Sequence, residues 1–217
     1  MEDARRPSAS RPPLPSEPPP AATISSSGVL TRDLDVDVAL RRYPRSQTVK
    51  GLFLGRFRDA LDMQWASIEK QLHAPPRAGT YLPFRDYPLR DHGFLLFAVA
   101  RQRHPRLPLE ESVRRVGRDD VKVVLGSLIG RVVSATVGSP KDALMAIPGL
   151  YGHVVTGPRY EAEDRGPREV RLTLTRAFGP WGYQLGQLEG VVEHFGGRPN
   201  ARMELGDDDR RRFDIAW

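Results

Sequence analysis

The sequence predicts an α+β fold, in which a helical N-terminal subdomain packs on a C-terminal antiparallel ββαββ unit. Apolar residues recur at helical spacing over residues 31–155, and from about residue 156 their period changes to two. The chain ends on the alternating run Phe213-Asp214-Ile215-Ala216-Trp217, which is typical of a strand with one buried face. We therefore expect a single α+β domain over residues 31–217, with a helical part (31–155) and a ββαββ part (156–217).

Residues 1–30 are predicted to form a disordered, proline-rich tail. Six prolines lie between residues 12 and 20, among Ser, Ala and Glu. Proline fixes φ and removes a backbone donor, and this segment has little apolar surface to bury, so we expect it to stay extended. The tail should therefore be dispensable for folding.

Prolines and glycines divide the helical part. Asp86 can cap a helix whose first turn tolerates Pro88, and Gly117 is typical of a helix end. Four helices are expected in order: over Leu34–Leu40, over Leu52–Leu72, from Asp86-Tyr87-Pro88 to about His104, and from Pro108 to a stop at Gly117.

The most apolar segment of the chain follows. From Val121 to Val137 apolar residues cover more than one face, which predicts a buried helix, and Gly126 and Gly130 have the spacing that lets a neighbouring helix approach. The run Ser139-Pro140-Lys141-Asp142 predicts the start of another helix, which Pro148-Gly149 is expected to end.

The C-terminal unit is predicted from alternation. A strand around Tyr160–Glu163 should pair with one carrying Val170, Leu172 and Leu174. A helix with a stripe at Leu185, Leu188 and Val192 follows and closes at Gly196-Gly197. The last two strands carry Ala201, Met203 and Leu205, then Phe213, Ile215 and Trp217. Both hairpins can place their apolar faces on the helix.

Composition narrows the functional classes. The net charge is +6, yet the arginines are scattered along the chain and lack the interleaved aromatics of a base-stacking sheet, so we do not expect nucleic-acid binding. There is no cysteine, which excludes disulfides and thiolate metal sites. Every charge-free apolar stretch is well short of the roughly 20 residues that a membrane span needs. We expect a cytoplasmic protein with no membrane contact.

No catalytic or metal motif is found in the sequence. The five histidines have no metal-ligand spacing, and no nucleophile elbow or phosphate-binding loop is present. We therefore predict a protein that is not an enzyme, with no catalytic residues and no metal site. Ligation of haem by a single histidine stays open at this point.

A candidate ligand site lies where the helical period gives way to the strand period. Aromatic side chains with polar tips suit a small ligand at such a junction, although ordinary packing of the junction is the alternative. The predicted ligand-binding residues are Tyr151, His153, Tyr160, Trp181 and Tyr183.

Several short runs carry a resemblance to a known family. They include Val49-Lys50-Gly51-Leu52-Phe53, Arg115-Val116-Gly117-Arg118, Gly186-Gln187-Leu188-Glu189-Gly190-Val191 and the terminal Phe213-Asp214-Ile215-Ala216-Trp217. From Thr48 to Trp217 the chain resembles a paralogous family of proteins of unknown function that is expanded in myxobacteria. This resemblance implies no activity.

The last third also resembles vinyl-reductase-type and haem-nitric-oxide-type sensor domains, which bind small molecules through an α+β unit ending in paired strands. The cysteines common in the first group are absent, and the Tyr-x-Ser-x-Arg haem contact of the second is not reproduced, because Ala162 and Asp164 follow Tyr160. We predict no cofactor. The expected function is a non-enzymatic sensor or regulatory module that binds a small apolar ligand or a partner protein, and the alternative is a purely structural protein–protein interaction module without a ligand pocket.

Overall fold

The computed structural model describes residues 23–25, 28–126, 137–206 and 209–217, and these form helices and two antiparallel sheets, which confirms the α+β class. The α-helices are α1 (Val36–Arg41), α2 (Leu52–Ala60), α3 (Trp65–Glu69), α4 (Leu89–Arg103), α5 (Leu109–Gly126), α6 (Pro140–Val154) and α7 (Trp181–His194). The strands are β1 (Thr23–Ser25), β2 (Thr48–Lys50), β3 (Asp86–Pro88), β4 (Val155–Thr156), β5 (Arg159–Gly166), β6 (Glu169–Thr175), β7 (Asn200–Leu205) and β8 (Arg211–Ala216). Two short 3-10 helices span Asp62–Gln64 and Arg77–Gly79.

The larger sheet has five strands in the order β1-β7-β8-β6-β5. The predicted ββαββ unit is confirmed, because two hairpins flank α7 and join through β6 and β8. The predicted alternation is also confirmed, since Leu172, Leu174, Phe213 and Ile215 have no exposed surface. Trp217 packs against the same hydrophobic cluster but is half-buried.

A second, three-stranded sheet in the order β3-β2-β4 lies inside the part that was expected to be wholly helical. The expectation that Asp86 caps α4 is wrong, because residues 86–88 form β3 and the Asp86 carboxylate pairs with Lys50 at 2.9 Å. α4 begins after Pro88 with no side-chain cap. These strands hold only two or three residues, too few for a period of two to be visible in sequence.

The helices α5 and α7 run parallel with their backbones in contact. Along α7, Gly182, Gly186 and Gly190 recur every fourth residue, and a Cβ atom at any of them would meet a backbone carbonyl oxygen of α5. Those carbonyls recur every fourth residue as well, from Glu110 to Arg118, so the two helices advance together. A stripe of glycines therefore sets the distance between these helices.

The predicted stop at Gly117 is wrong, because α5 continues to Gly126. Gly117 lies within the α5–α7 interface, where a Cβ atom would overlap the carbonyl oxygen of Tyr183. The predicted buried helix from 121 to 137 is described only to Gly126, as the end of α5, and its remainder lies outside the described residues.

The start of α6 is as predicted, whereas its end is not. The Ser139 hydroxyl accepts a hydrogen bond from the Asp142 backbone N–H at 3.2 Å, which is a side-chain cap. The helix then continues past Pro148 to Val154. Pro148 removes one intrahelical hydrogen bond but does not end the helix.

The residues that the structure describes begin within the segment 1–30 that was expected to be a tail. Thr23–Ser25 pair antiparallel with β7 as an edge strand, and Leu30 is buried with its N–H donating to the Glu111 carboxylate at 3.2 Å. Residues 1–22 lie outside the described residues. Within the described ranges, no helix combines the length and the apolar character that crossing a membrane requires.

Candidate functional site

The hydrophobic interior consists of two clusters that meet at a seam. One cluster lies among α1–α5 and the small sheet, and the other lies between the large sheet and α7. At the seam lies a partly open cavity of about 90 Å³, which we call the seam cavity. Its walls come from both clusters and include Tyr43, His92, Leu96, Tyr151, Leu174 and Tyr183.

The structure brings together three of the five predicted ligand-binding residues. Tyr151 and Tyr183 line the seam cavity, and Tyr160 lies behind Tyr151 with the two rings edge to face at 4.9 Å. His153 is exposed on α6, and Trp181 is buried in the cluster under the large sheet without lining the cavity. The ligand-binding role of these residues remains a prediction.

Tyr183 is held in place by two other helices. Its hydroxyl donates a hydrogen bond to the Asp120 carboxylate of α5 at 2.8 Å, and the Arg56 guanidinium of α2 lies 3.0 Å from the same hydroxyl. Arg56 also pairs with Asp120 at 2.7 Å. Burial raises the pKa of Asp120 above its usual range, and Arg56 opposes that rise. This triad therefore joins α2, α5 and the first turn of α7 beside the cavity.

His92 is a cavity residue that sequence reasoning missed. It projects from α4 with its ring centroid 5.1 Å from that of Phe57 and 5.6 Å from that of Tyr183. Burial, with a smaller contribution from Arg56, lowers the pKa of His92 to about 3. The imidazole is therefore neutral near pH 7 and offers one donor and one acceptor. Its helical spacing from Leu89 and Leu96 was the signal that could have found it.

The phenols of the cavity are also neutral. Burial raises the pKa of Tyr151 to about 12, and it raises the pKa values of Tyr43 and Tyr183 further above the usual range. Tyr43 is packed tightly, since a Cβ atom at Gly93 would lie 2.8 Å from its hydroxyl oxygen. The cavity wall therefore combines apolar surface with neutral hydrogen-bonding groups.

Arg211 organises the segment that forms one wall. Its guanidinium is buried and donates to the Gln184 side-chain oxygen at 2.6 Å and to the Ala177 and Gly179 carbonyl oxygens at 2.5 Å each. These bonds tie the entry of α7 to β8. From the sequence, Arg211 belongs to a short arginine cluster with Arg210 and Arg212, and nothing there distinguishes the one that is buried.

The outer face of the large sheet carries ion pairs. Arg171 binds Asp214 through two hydrogen bonds, of 2.6 and 3.1 Å, and Arg212 pairs with Glu204 at 2.8 Å. Paired arginines do not form the unopposed basic stripe that binds nucleic acid. In the described part of the chain, no group of three or more potential metal-ligating side chains comes together.

Comparisons with known proteins match this architecture. A family model described as a protein of unknown function (DUF2378) matches residues 42–217. Among solved structures, the chain is similar to the Fe(II) unliganded H-NOX protein from K. algicida, at 17% identity and a TM-score of 0.58, over 77% of this chain and 95% of that one. It is also similar to a variant H-NOX protein from S. oneidensis in the Fe(II) ligation state, at 16% identity and a TM-score of 0.61, again over 77% and 95%.

A variant of the H-NOX protein from T. tengcongensis matches at 18% identity and a TM-score of 0.56, over 77% of this chain and 96% of that one. No curated protein matches the chain. At these identities the similarity shows that the chain has the H-NOX fold.

Solved structures of these H-NOX proteins are described with Fe(II) and with heme, so a haem group is compared first with the seam cavity. Its volume of about 90 Å³ is several-fold below the roughly 300 Å³ at which pockets for drug-sized ligands begin, and a porphyrin is at least of that size. His92 is the histidine in the wall, and its ring packs against Phe57 and Tyr183. In this arrangement the seam cavity is too small to hold a haem group.

Proposed function

We propose that this chain, which belongs to the DUF2378 family of proteins of unknown function, is a non-enzymatic sensor or regulatory module whose seam cavity binds a small, neutral and largely apolar molecule. The observation that supports this proposal is the position of the cavity, since its walls come from two separately packed hydrophobic clusters. A ligand bound there would contact both subdomains at once and so could change how they pack.

The size and chemistry of the cavity restrict the ligand. A dry engineered cavity of about 150 Å³ binds benzene or xenon, so a cavity of about 90 Å³ suits a molecule of only a few heavy atoms. The neutral state of His92 and of the tyrosines disfavours a charged ligand, because nothing in the wall would compensate a buried charge. The same groups can orient one polar atom of the ligand.

Tyr183 connects the cavity to the rest of the molecule. It lies in the first turn of α7 and is bonded to Asp120 of α5, on the glycine-lined interface between these helices. A ligand that moved the Tyr183 ring would therefore act directly on the α5–α7 contact. We propose this contact as the part of the molecule that responds to binding.

The test uses xenon and 2-propanol, a neutral molecule of four heavy atoms, as probes and fills the cavity by mutation. Leu174→Phe places a larger side chain in the wall, and Leu172→Phe is the matched control on the same strand, also with no exposed surface but outside the wall. We expect 2-propanol at low concentration to raise the melting temperature of the wild type and of Leu172→Phe but not of Leu174→Phe. Xenon-129 NMR should likewise detect xenon bound to the wild type and to Leu172→Phe but not to Leu174→Phe.

A second cavity-filling variant distinguishes loss of the cavity from misfolding of Leu174→Phe. Overpacking a core costs about 1–3 kcal/mol, so Leu96→Phe repeats the experiment from the opposite wall, on α4. The proposal is wrong if neither probe affects the wild type, or if both probes affect all folded variants equally.

An interaction module without a ligand is the alternative, and one observation favours it. The apolar helix α6 leaves Met145 and Leu150 37% and 44% exposed. A contiguous exposed apolar patch is typical of a surface that contacts a partner protein, and these two side chains contribute exposed apolar area on α6. Xenon and 2-propanol would then leave the melting temperature unchanged, and Met145→Glu would abolish binding of the partner without lowering the melting temperature.

A further inference from the structure

A second concave surface lies on the helical side, away from the large sheet. It is a cleft of about 430 Å³ between the end of α1, the loop after α3 and the start of α4. We call it the basic cleft. Its side chains include Arg41, Arg45, Arg90, His73, Tyr43 and Pro88.

The positive charge of the basic cleft is not compensated by its lining. None of the lining residues is acidic, and Arg41 and Arg45 form no ion pair with any residue that the structure describes. Nη1 of Arg90 is enclosed, and no hydrogen-bond acceptor in the described chain reaches it. Three guanidinium groups thus face one cleft.

The nearest carboxylate belongs to Asp91, and it is already engaged. One of its oxygens lies 3.8 Å from Arg90 Nη1, but the two oxygens accept the backbone N–H groups of His73 and Ala74 at 3.0 and 2.8 Å. These bonds hold the loop after α3 against α4 and so fix one side of the cleft. Even with Asp91 counted, the cleft keeps an excess of two positive charges.

The start of α4 contributes to the same electrostatic field. The helix is 15 residues long and begins at Leu89, directly after Pro88 of the cleft lining. The aligned peptide dipoles of a helix place partial positive charge at its first turn, where Arg90 also lies. The dipole and the guanidinium groups therefore favour an anion at the same place.

We propose that the basic cleft binds the phosphoryl group of an anionic ligand. Guanidinium forks match phosphate oxygens in geometry, and three of them supply more donors than a single carboxylate can accept. The volume of about 430 Å³ suits one small phosphorylated head group. Such a group occurs both in soluble phosphate esters and at the surface of an anionic lipid bilayer.

The experiment measures binding of two probes to the full chain. Inorganic pyrophosphate, followed by calorimetry, represents the soluble source. Phosphatidylcholine vesicles with and without phosphatidic acid, followed by co-sedimentation, represent the lipid source. Arg41→Gln combined with Arg45→Gln removes two exposed cations of the cleft. The matched control is Arg101→Gln combined with Arg106→Gln, which makes the same charge change at the far end of α4 and just beyond it. Arg101 lies roughly 16 Å from Arg90 along the helix.

We expect the cleft double variant to weaken binding of at least one probe by about tenfold or more, and the control to change it by less than about twofold. Pyrophosphate binding identifies a soluble ligand, and binding of acidic vesicles alone identifies a lipid head group. Arg90→Gln should weaken binding of the same probe. The helical circular dichroism signal of this variant shows that it is folded. The proposal is overturned if neither probe binds, or if the control variant loses as much affinity as the cleft variant.

Discussion

The Arg114 guanidinium and the Glu189 carboxylate form a two-pronged ion pair inside the α5–α7 interface, with N–O distances of 2.6 and 3.0 Å. Arg118 adds a bond to the same carboxylate at 2.9 Å, and Glu189 is only 1% exposed. The interface that the glycine stripe brings together is thus also fixed by buried charge.

Glu189→Gln should destabilise the protein by about 3–5 kcal/mol, because it removes the buried carboxylate charge that Arg114 and Arg118 share. The control is Glu163→Gln, which removes an exposed pair with Arg165 and should cost less than about 1 kcal/mol. Urea unfolding measures both. Equal, small losses would show that the buried pair contributes nothing beyond a surface pair.

Gly186→Ala tests the helix contact itself. A Cβ atom at this position would overlap the Arg114 backbone, so the helices would have to separate, and we expect a loss of about 1–3 kcal/mol or more. Gly152→Ala on α6 is the control, since its Cβ would meet nothing within 4 Å and alanine should stabilise that helix by about 0.5–1 kcal/mol. A Gly186→Ala protein as stable as the wild type would contradict the close contact.

Glu110 should make stability depend on pH. The residue has no exposed surface, one of its oxygens accepts the Gly182 N–H at 2.5 Å, and no donor in the described chain reaches the other. Burial raises the pKa of Glu110 to about 7, against the opposing effects of the Gly182 N–H and the charges of Arg211 and Arg32. A raised pKa means that the folded protein holds the proton more tightly than the unfolded chain does.

The stability that Glu110 contributes should therefore be complete below about pH 4.5 and be lost as the pH rises through about 7. Glu110→Gln keeps the acceptor for Gly182 and cannot ionise. We expect the variant to gain stability relative to the wild type between pH 4.5 and 7, measured by urea unfolding at a series of pH values. If the free energy of unfolding depends on pH in the same way for the two proteins, the pKa of Glu110 is not raised.

Truncation tests the boundary of the tail. A chain that starts at residue 23 keeps β1 and Leu30, and from the proline content of the removed segment we expect it to be as stable as the full chain. A chain that starts at residue 31 loses the edge strand and the burial of Leu30, which should cost about 2 kcal/mol or more. If both truncations have the same midpoint, the N-terminal strand does not contribute to stability.

The large sheet could be predicted because each strand buries one face. In β6, Val170, Leu172 and Leu174 alternate with polar residues over seven positions, which is long enough to display the period. The small sheet could not be predicted, since its strands are shorter than two periods and depend on neighbours distant in sequence.

The structural role of a glycine could not be predicted from one sequence alone. Glycine is the residue type most typical of a helix end, but Gly117 lies in the interior of α5, where it allows a close approach of α7. The spacing of Gly182, Gly186 and Gly190 was visible, yet only the position of α5 gives it meaning. A glycine that permits contact and a glycine that ends a helix look the same until the partner is known.

The candidate site was predicted in part for a similar reason. The change of period indicated a junction, and the structure places Tyr151 and Tyr183 in the wall of the cavity there. Trp181 is two residues from Tyr183 on α7, which places it about 200° away around the helix, and it therefore packs under the large sheet. Helical position, and not nearness in sequence, decides which of two aromatics reaches a cavity.

Tyr43 is a wall of both the seam cavity and the basic cleft. Its ring cannot shift to admit one ligand without altering the space available to the other. Binding of the two proposed ligands would then be thermodynamically linked, and a phosphoryl anion that changed the affinity for the neutral ligand by some factor would have its own affinity changed by the same factor. A single aromatic side chain would in this way let the protein report the combination of two chemical signals.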